Sequence, residues 1–303
     1  MNGTRTRRDR FFEVISKARA RRCSAIMGDC NVTPDSFSDG GLFLSRGDAF
    51  SRVDALLAAG ADIIDIGGES TRPGAKPVSA AEQLARVLDV VRYAAEKGGA
   101  RAVVSIDTTL PEVAHACLDA GAVCVNDVSN LREPALADVA FGAGAALILS
   151  HARHPQELMR GATAVTDTEY DDVVPEVLAD FRAARNKALA RGVPHGAIVM
   201  DPGLGFSKTA RHSMELLRRT GELVAGADAP VLIGASRKSF LTLIDRGKSA
   251  DDRLGASILA AEFAARAGAS IVRVHDVRET RQALDLSVVL CTHTGHGVGG
   301  GVP

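Results

Sequence analysis

The sequence predicts a single closed (β/α)8 TIM barrel, with its active site at the C-terminal mouth of the strands. One unit recurs along the chain: a helical stretch, a Gly-Ala pair, a short apolar run and then polar residues. It is plainest at Gly60 (GADIIDIGGESTRPG) and returns at Gly121 (GAVCVND), Gly144 (GAALILSH), Gly196 (GAIVMDPG) and Gly268 (GASIVRVHD), more loosely at Gly99 (GARAVVSID). The apolar runs are too short and too continuous for surface helices and suit strands buried on both faces. Five positions after the leading glycine stand Asp65, Asn126, Asp201 and Arg273, a fixed offset that marks a repeated unit. At 303 residues, 46% of them hydrophobic, the chain fits one barrel of about 250 residues with tails.

Taken in order, residues 1–22 form a basic N-terminal arm, in which Phe11, Phe12 and Ile15 predict a short helix covering the barrel bottom. The barrel domain spans 23–290. Its first strand, Ser24 to Gly28, opens into a loop running from Asp29 to Gly41, crowded with oxygen ligands and turn formers. For Asn31, Asp35, Ser36 and Asp39 a mobile lid and an ordinary Asx-turn loop are both open readings. Helices follow at Asp48 to Ala59 and at Val78 to Lys97, the second with Ser79 as N-cap and Glu82 closing a capping box. Strands are predicted to start at Ser24, Asp62, Ala102, Ala122, Ala145, Ala197, Val231 and Ser270, each leading to a helix. Pro111 starts one helix where its missing N–H costs nothing. Pro155 to Thr168 lacks a period and reads as a long loop; Glu169 to Arg191 and Val277 to Val289 read as helices, and 291–303 as a flexible glycine-rich tail.

A net charge of −1, with both signs interspersed, offers no general field for nucleic acid or an anionic membrane. The five cysteines include no C-x-x-C pair, no apolar run approaches the length of a membrane span, and the N-terminal arginines have no apolar h-region behind them. A cytoplasmic protein acting on a small molecule is the expectation, with Cys30 a bystander and His151 a structural histidine.

A barrel of this kind brings Asn31, Thr71, Arg72, Asp107, Asn126, Asp201, Lys238, Arg273 and His275 to one mouth. Arg72, Lys238, Arg273 and His275, with the Ser70 and Thr71 hydroxyls, suit a polyanion such as a diphosphate. Asp107, Asn126 and Asp201 suit a planar ligand rich in N–H donors, because a carboxylate can accept two parallel hydrogen bonds.

The stretches MGDCNVTPDSFSDGG, IDIGGESTRPGA, SIDT, NDV, DPGLGF, GASRKSF and RVHDV, in order from about Met27 to about Leu284, resemble the dihydropteroate synthases. The resemblance implies condensation of a dihydropterin-methyl diphosphate with 4-aminobenzoate, giving dihydropteroate and diphosphate by a dissociative mechanism. It implies that Asp107, Asn126, Asp201 and Lys238 hold the pterin, and that Thr71, Arg72, Arg273 and His275 bind the diphosphate. Asn31 would face a Mg2+ ion. Loops Pro34 to Gly40, which carries Asp35, and Arg72 to Lys76 would close over the site, with Phe206 and Ser239 lining the aminobenzoate pocket. A homodimer is also implied. The chain departs from the family pattern at Asp29-Cys30, where an apolar pair is usual, at Leu110, at Ser207, which takes a glycine's place, and at Ser150 and Ala152, which replace methionines around His151. A pterin-binding methyltransferase and a non-catalytic pterin-binding paralogue are the rival readings; the first has no evident use for Lys238, Arg273 and His275 together.

Overall fold

The computed structural model describes residues 6–33, 46–69, 77–155, 170–243 and 249–292. Eight parallel strands, β1 (Ala25–Asn31), β2 (Ile63–Gly67), β3 (Val103–Asp107), β4 (Cys124–Asp127), β5 (Ala146–Ser150), β6 (Ile198–Asp201), β7 (Leu232–Ile233) and β8 (Ile271–Val274), pair in the order β6-β5-β4-β3-β2-β1-β8-β7. An isolated parallel bridge between Met200 and Val231 joins the remaining seam, which makes the sheet a barrel.

The helices are α1 (Arg7–Ala20), α2 (Arg46–Ala58), α3 (Ala80–Gly98), α4 (Pro111–Asp119), α5 (Ala135–Gly142), α6 (Val173–Ala190), α7 (Ala210–Arg218), α8 (Thr220–Gly226), α9 (Leu254–Arg266) and α10 (Val277–Thr292). The sequence expected one helix after each strand; two, α7 and α8, follow β6, and short 3-10 turns precede β6 and α9. Helix α6 starts at Val173 rather than Glu169 because the Asp172 side chain caps it by accepting the Val174 N–H, 3.2 Å away. At α3, Ser79 accepts the Glu82 N–H as expected, but the Glu82 carboxylate turns to Arg86 one turn on. The reciprocal capping box is found at α1 instead, between Thr6 and Asp9.

Strand residues alternate between two apolar environments, as the period of two requires. Ile26, Cys30, Ile64, Ile66, Val104, Ile106, Val125, Leu147, Leu149, Ile198, Met200, Ile233, Val272 and Val274 face the helices. Ala25, Met27, Ile63, Val103, Cys124, Ala146, Ile148, Val199, Leu232 and Ile271 fill the interior. Helix α1 seals the lower end: Phe11, Val14, Ile15 and Ala18 pack into the interior cluster. Its arginines tie it down, with Arg7 donating to the Ala143 carbonyl at 2.8 Å and Arg10 to that of Gly99 at 3.3 Å. The helix expected from Phe11, Phe12 and Ile15 is therefore present and longer than a surface cover needs.

One boundary correction bears on function. The sequence reading ended the first strand at Gly28, whereas β1 runs to Asn31, pairing Asp29, Cys30 and Asn31 with Asp65, Ile66 and Gly67 of β2. Ladder hydrogen bonds to β2 outweigh the turn propensities of Asp and Asn. As a result Asp29 and Asn31 are inward-facing strand residues. Cys30 faces the helices, where burial pushes its thiol up to about 12, so it is no nucleophile.

Because Phe11 is wholly buried against the barrel floor, Phe11→Ala is expected to cost about 3–5 kcal/mol in denaturant unfolding, and Phe12→Ala considerably less. Equal small losses from both would show that α1 is not part of the core.

Candidate active site

Register and strand parity bring one set of polar side chains to the mouth. Asn31, Gly67, Asp107 and Asn126 stand at paired positions across β1 to β4, and Ser150 pairs with Asp201 across β5 and β6. Arg273, at inward parity on β8, binds three carboxylates from three strands: its Nε donates to Asp65 Oδ2 at 2.7 Å, and its Nη2 to Asp29 Oδ1 at 3.0 Å and Asp107 Oδ2 at 3.1 Å. The cationic and acidic groups expected at one mouth are in contact, since Arg273 touches Asp107 directly.

Asp29 also faces His275 Nε2 at 3.0 Å and accepts from Asn31 Nδ2 at 3.0 Å. Burial alone would raise its pKa, but the Arg273 charge and the His275 hydrogen bond prevail and hold it well below the carboxylate range. Asp107 goes the other way: burial and the Asp65 charge push it well above its ordinary value, against the opposing pull of Arg273. Two strands are fastened here by Arg52, which donates to the backbone carbonyls of Asp29 and His275 at 3.1 and 2.9 Å. Ser236 Oγ accepts the His275 N–H, and Arg237 pairs with Asp276, tying the loop after β7 to β8.

Asn126 Nδ2 donates to Asp65 Oδ2 at 3.0 Å, while Asn126 Oδ1 and Asp65 Oδ1 are buried with no partner among the described residues. Asp201 accepts the Gly203 N–H at 2.8 Å on one oxygen and the Ser150 hydroxyl at 2.9 Å on the other. Lys238 bonds the Leu204 carbonyl, with its ammonium 4.5 Å from the Phe206 ring centroid, and burial lowers its pKa to about 8. Ser239 is exposed at the start of a 3-10 turn. Asp35, Thr71 and Arg72, with the loops Pro34 to Gly40 and Arg72 to Lys76, lie outside the described residues.

The loop after β6 carries Asp201 and Phe206, and Lys208 holds it. Its Nζ, fully buried, donates to His151 Nδ1 at 2.7 Å and to the carbonyls of Gly203 and Phe206 at 3.1 and 2.9 Å. With Nδ1 accepting, the imidazole is neutral and its Nε2–H donates to Asp180 at 2.9 Å. Gly203 is obligatory: its φ is +64°, and a Cβ would stand 2.1 Å from the His151 carbonyl oxygen. Ser207, where the family pattern has glycine, is left-handed at φ +49°, and its hydroxyl and carbonyl take the His154 N–H and the Tyr170 hydroxyl. A cavity of about 450 Å³ beside this cluster, lined by Ser129, Arg132, Arg153 and Asp180 among others, contains none of the expected site residues. The charged groups converge instead at the mouth of the strands, around Arg273.

Asp29 and Asp65 were not picked out as site residues from sequence. Asp65 had a signal, since it stands at the same offset from its leading glycine as Asn126, Asp201 and Arg273; the signal at Asp29 was a carboxylate where the resembling pattern is apolar, hidden by a strand boundary set before it. The Lys208–His151 pair had no local signal either, as 57 positions separate its members.

A parallel barrel whose mouth joins buried carboxylates and an amide to an arginine, a lysine and a histidine defines an enzyme for an anionic ligand with an N–H-rich ring. The family described as pterin binding enzyme matches residues 27–275. Dihydropteroate synthase of Mycobacterium leprae is 45% identical over 265 residues, covering 86% of this chain and 90% of its own. Xanthomonas albilineans dihydropteroate synthase with 4-aminobenzoic acid superposes with a TM-score of 0.80 at 35% identity, covering 88% of this chain and 93% of its own. The same enzyme in complex with 7,8-dihydropteroate gives 0.78 at 34% identity, covering 88% and 94%. The chain belongs to the dihydropteroate synthase family, whose members are transferases.

Burial, followed by the Lys208 charge, lowers the His151 pKa from 6.5 to about 4. The unfolded chain therefore takes up this proton first as pH falls. Stability from this group is complete above about pH 6.5 and is lost between there and about pH 4, by roughly 3 kcal/mol. His151→Gln should flatten that part of the curve when urea unfolding is followed across this window, and parallel curves for both proteins would refute it.

Proposed function

We propose that the mouth of this barrel binds a (7,8-dihydropterin-6-yl)methyl diphosphate and 4-aminobenzoate and joins them, releasing diphosphate and forming 7,8-dihydropteroate for folate biosynthesis. The observation that supports the residue assignments is the contact of Arg273 with Asp107, by which a cationic group and an acidic one meet at the mouth. The orphaned acceptors Asp65 Oδ1 and Asn126 Oδ1 call for N–H donors, which the pyrimidine edge of a pterin supplies. Asp107, Asn126 and Asp201 take the ring, with Lys238 across from Asp201; Arg273 and His275, with Thr71 and Arg72, take the diphosphate.

In the reaction the methylene C–O bond breaks, its electron pair leaves with the diphosphate, and the positive charge on carbon spreads into the ring. The aminobenzoate nitrogen attacks that carbon and loses a proton. Arg273 and His275 stabilise the departing charge, and the carboxylates around the ring stabilise the cation left behind. Phe206 and Ser239, at the rim, line the aminobenzoate side, and Asp35 and Arg72 belong to loops that complete it.

Asn31 fits a Mg2+ ion: with its Nδ2 donating to Asp29, its carbonyl oxygen is left to serve a hard cation. Among the described residues no group of three or more His, Cys, Asp or Glu is arranged to hold a metal. A Mg2+ ion held by Asn31 would supply positive charge beside the leaving group. Exposed apolar residues on α9 and α10, including Leu259, Phe263, Leu286, Val289 and Leu290, support a homodimer. Among the described residues no helix is long and apolar enough to cross a membrane; a cytoplasmic location belongs to the same proposal.

Diphosphate release measured with and without 4-aminobenzoate tests the reading. Release that depends on 4-aminobenzoate is expected, whereas a silent pterin binder would release none. Asp201→Asn should weaken binding of a pterin lacking the diphosphate by roughly 2–5 kcal/mol, because the amide leaves the ring's N–H edge half satisfied. Unchanged affinity would remove Asp201 from the site. Calorimetry should also find 4-aminobenzoate binding tightly only once a pterin, diphosphate and Mg2+ are present, with Arg72→Ala shrinking that difference and Arg153→Ala leaving it. Equal affinity in both states would show that the loops build no shared pocket.

A further inference from the structure

Asp29 stands where the incoming diphosphate must place its own charge. Its two oxygens lie 3.0 Å from Arg273 Nη2 and 3.0 Å from His275 Nε2, the groups assigned to that anion, and one of them also takes the Asn31 amide at 3.0 Å. The carboxylate is 4% exposed, and the β1 ladder and the Arg52 contact to its own carbonyl fix its backbone. It cannot swing into solvent without leaving Arg273 and His275 behind. Arg273 is shared further with Asp65 and Asp107, so its single positive charge is already met by three carboxylates.

An apolar side chain at position 29, as in the pattern the chain resembles, would leave Arg273 and His275 more exposed to a free anion. A carboxylate there repels phosphoryl oxygens at contact range. A divalent cation between the two reverses the sign, because Asp29 and the diphosphate then share a counter-charge beside the Asn31 carbonyl. Resting on the functional reading above, we propose that Asp29 makes diphosphate binding conditional on a divalent cation: it fills the anion site when the cation is absent and helps to hold the cation–diphosphate pair when it is present. This is a specificity-determining role for the salt form of the ligand.

The test is calorimetric binding of inorganic diphosphate to the full chain, in excess chelator and in saturating Mg2+, for the wild type, Asp29→Asn, Asp29→Leu and Arg273→Ala. The wild type should bind the Mg2+ form at least about tenfold more tightly than the free anion. In Asp29→Asn and Asp29→Leu the free anion should bind about tenfold more tightly than to the wild type, and the Mg2+ advantage should shrink. Circular dichroism melts verify that both variants are folded, and the agreement of two chemically different substitutions guards against a local distortion. An unchanged Mg2+ advantage in both variants, with binding lost in Arg273→Ala, overturns the role of Asp29 and leaves the functional reading standing. Diphosphate binding indifferent to Arg273→Ala overturns the anion-site assignment, and this inference falls with it.

Discussion

One guanidinium holds the mouth of this barrel together. Arg273 reaches from β8 to carboxylates on β1, β2 and β3, so a single side chain cross-links four strands where their ends would otherwise expose like charges to one another. Burying three carboxylates in one place is costly unless a cation of matching geometry is supplied, and the planar fork of arginine meets several at once. The opposite displacements of Asp29 and Asp107 follow from how this one charge is shared. Asp29 gains Arg273 and His275, whereas Asp107 must also bear the repulsion of Asp65.

The other half of the mouth is held by a different device. Lys208 brings its amino group into a fully buried position, where burial drives its pKa well down, and bonds His151 and two carbonyls of the glycine-rich turn after β6. That turn sets the Asp201 carboxylate and the Phe206 ring. Ser150, two strand positions beyond Ile148 and at the same inward parity, fixes one oxygen of Asp201 with its hydroxyl. Where the resembling pattern has a methionine, this chain thus has a hydrogen bond to the Asp201 carboxylate, and the wall of the mouth at this point is polar. Ala152 turns away from the axis, toward the cavity on the flank.

Much of the candidate site is legible in the sequence. Asp107, Asn126, Asp201, Lys238, Arg273 and His275 were placed together because each follows an apolar run, and the C-terminal ends of parallel strands in a barrel share one mouth. Asp65 was legible in principle by the offset it shares with Asn126, Asp201 and Arg273. Asp29 was not, because Asp-Cys-Asn before Val-Thr-Pro reads as a turn, and only pairing with β2 keeps it extended. The capping box at Ser79 was half right for a similar reason: Glu82 had a choice of partners, and Arg86 one turn away offered a charge where the backbone offered a dipole.

The sequence by itself determined the barrel and brought Asp107, Asn126, Asp201, Lys238, Arg273 and His275 to its mouth, though not Asp29. Repeated Gly-Ala punctuation, buried strands and the fixed offset of their polar ends are local patterns, and closure of parallel strands follows from them with little freedom left. Tertiary structure decided which charges face one another. Lys208 and His151 meet across 57 positions, and Arg273 meets Asp29 across 244. Such pairings carry no signature at either residue, since any lysine or aspartate in isolation belongs in water. They exist because removing a charge from water is unfavourable unless a partner is already waiting, and only the assembled barrel puts the partner there.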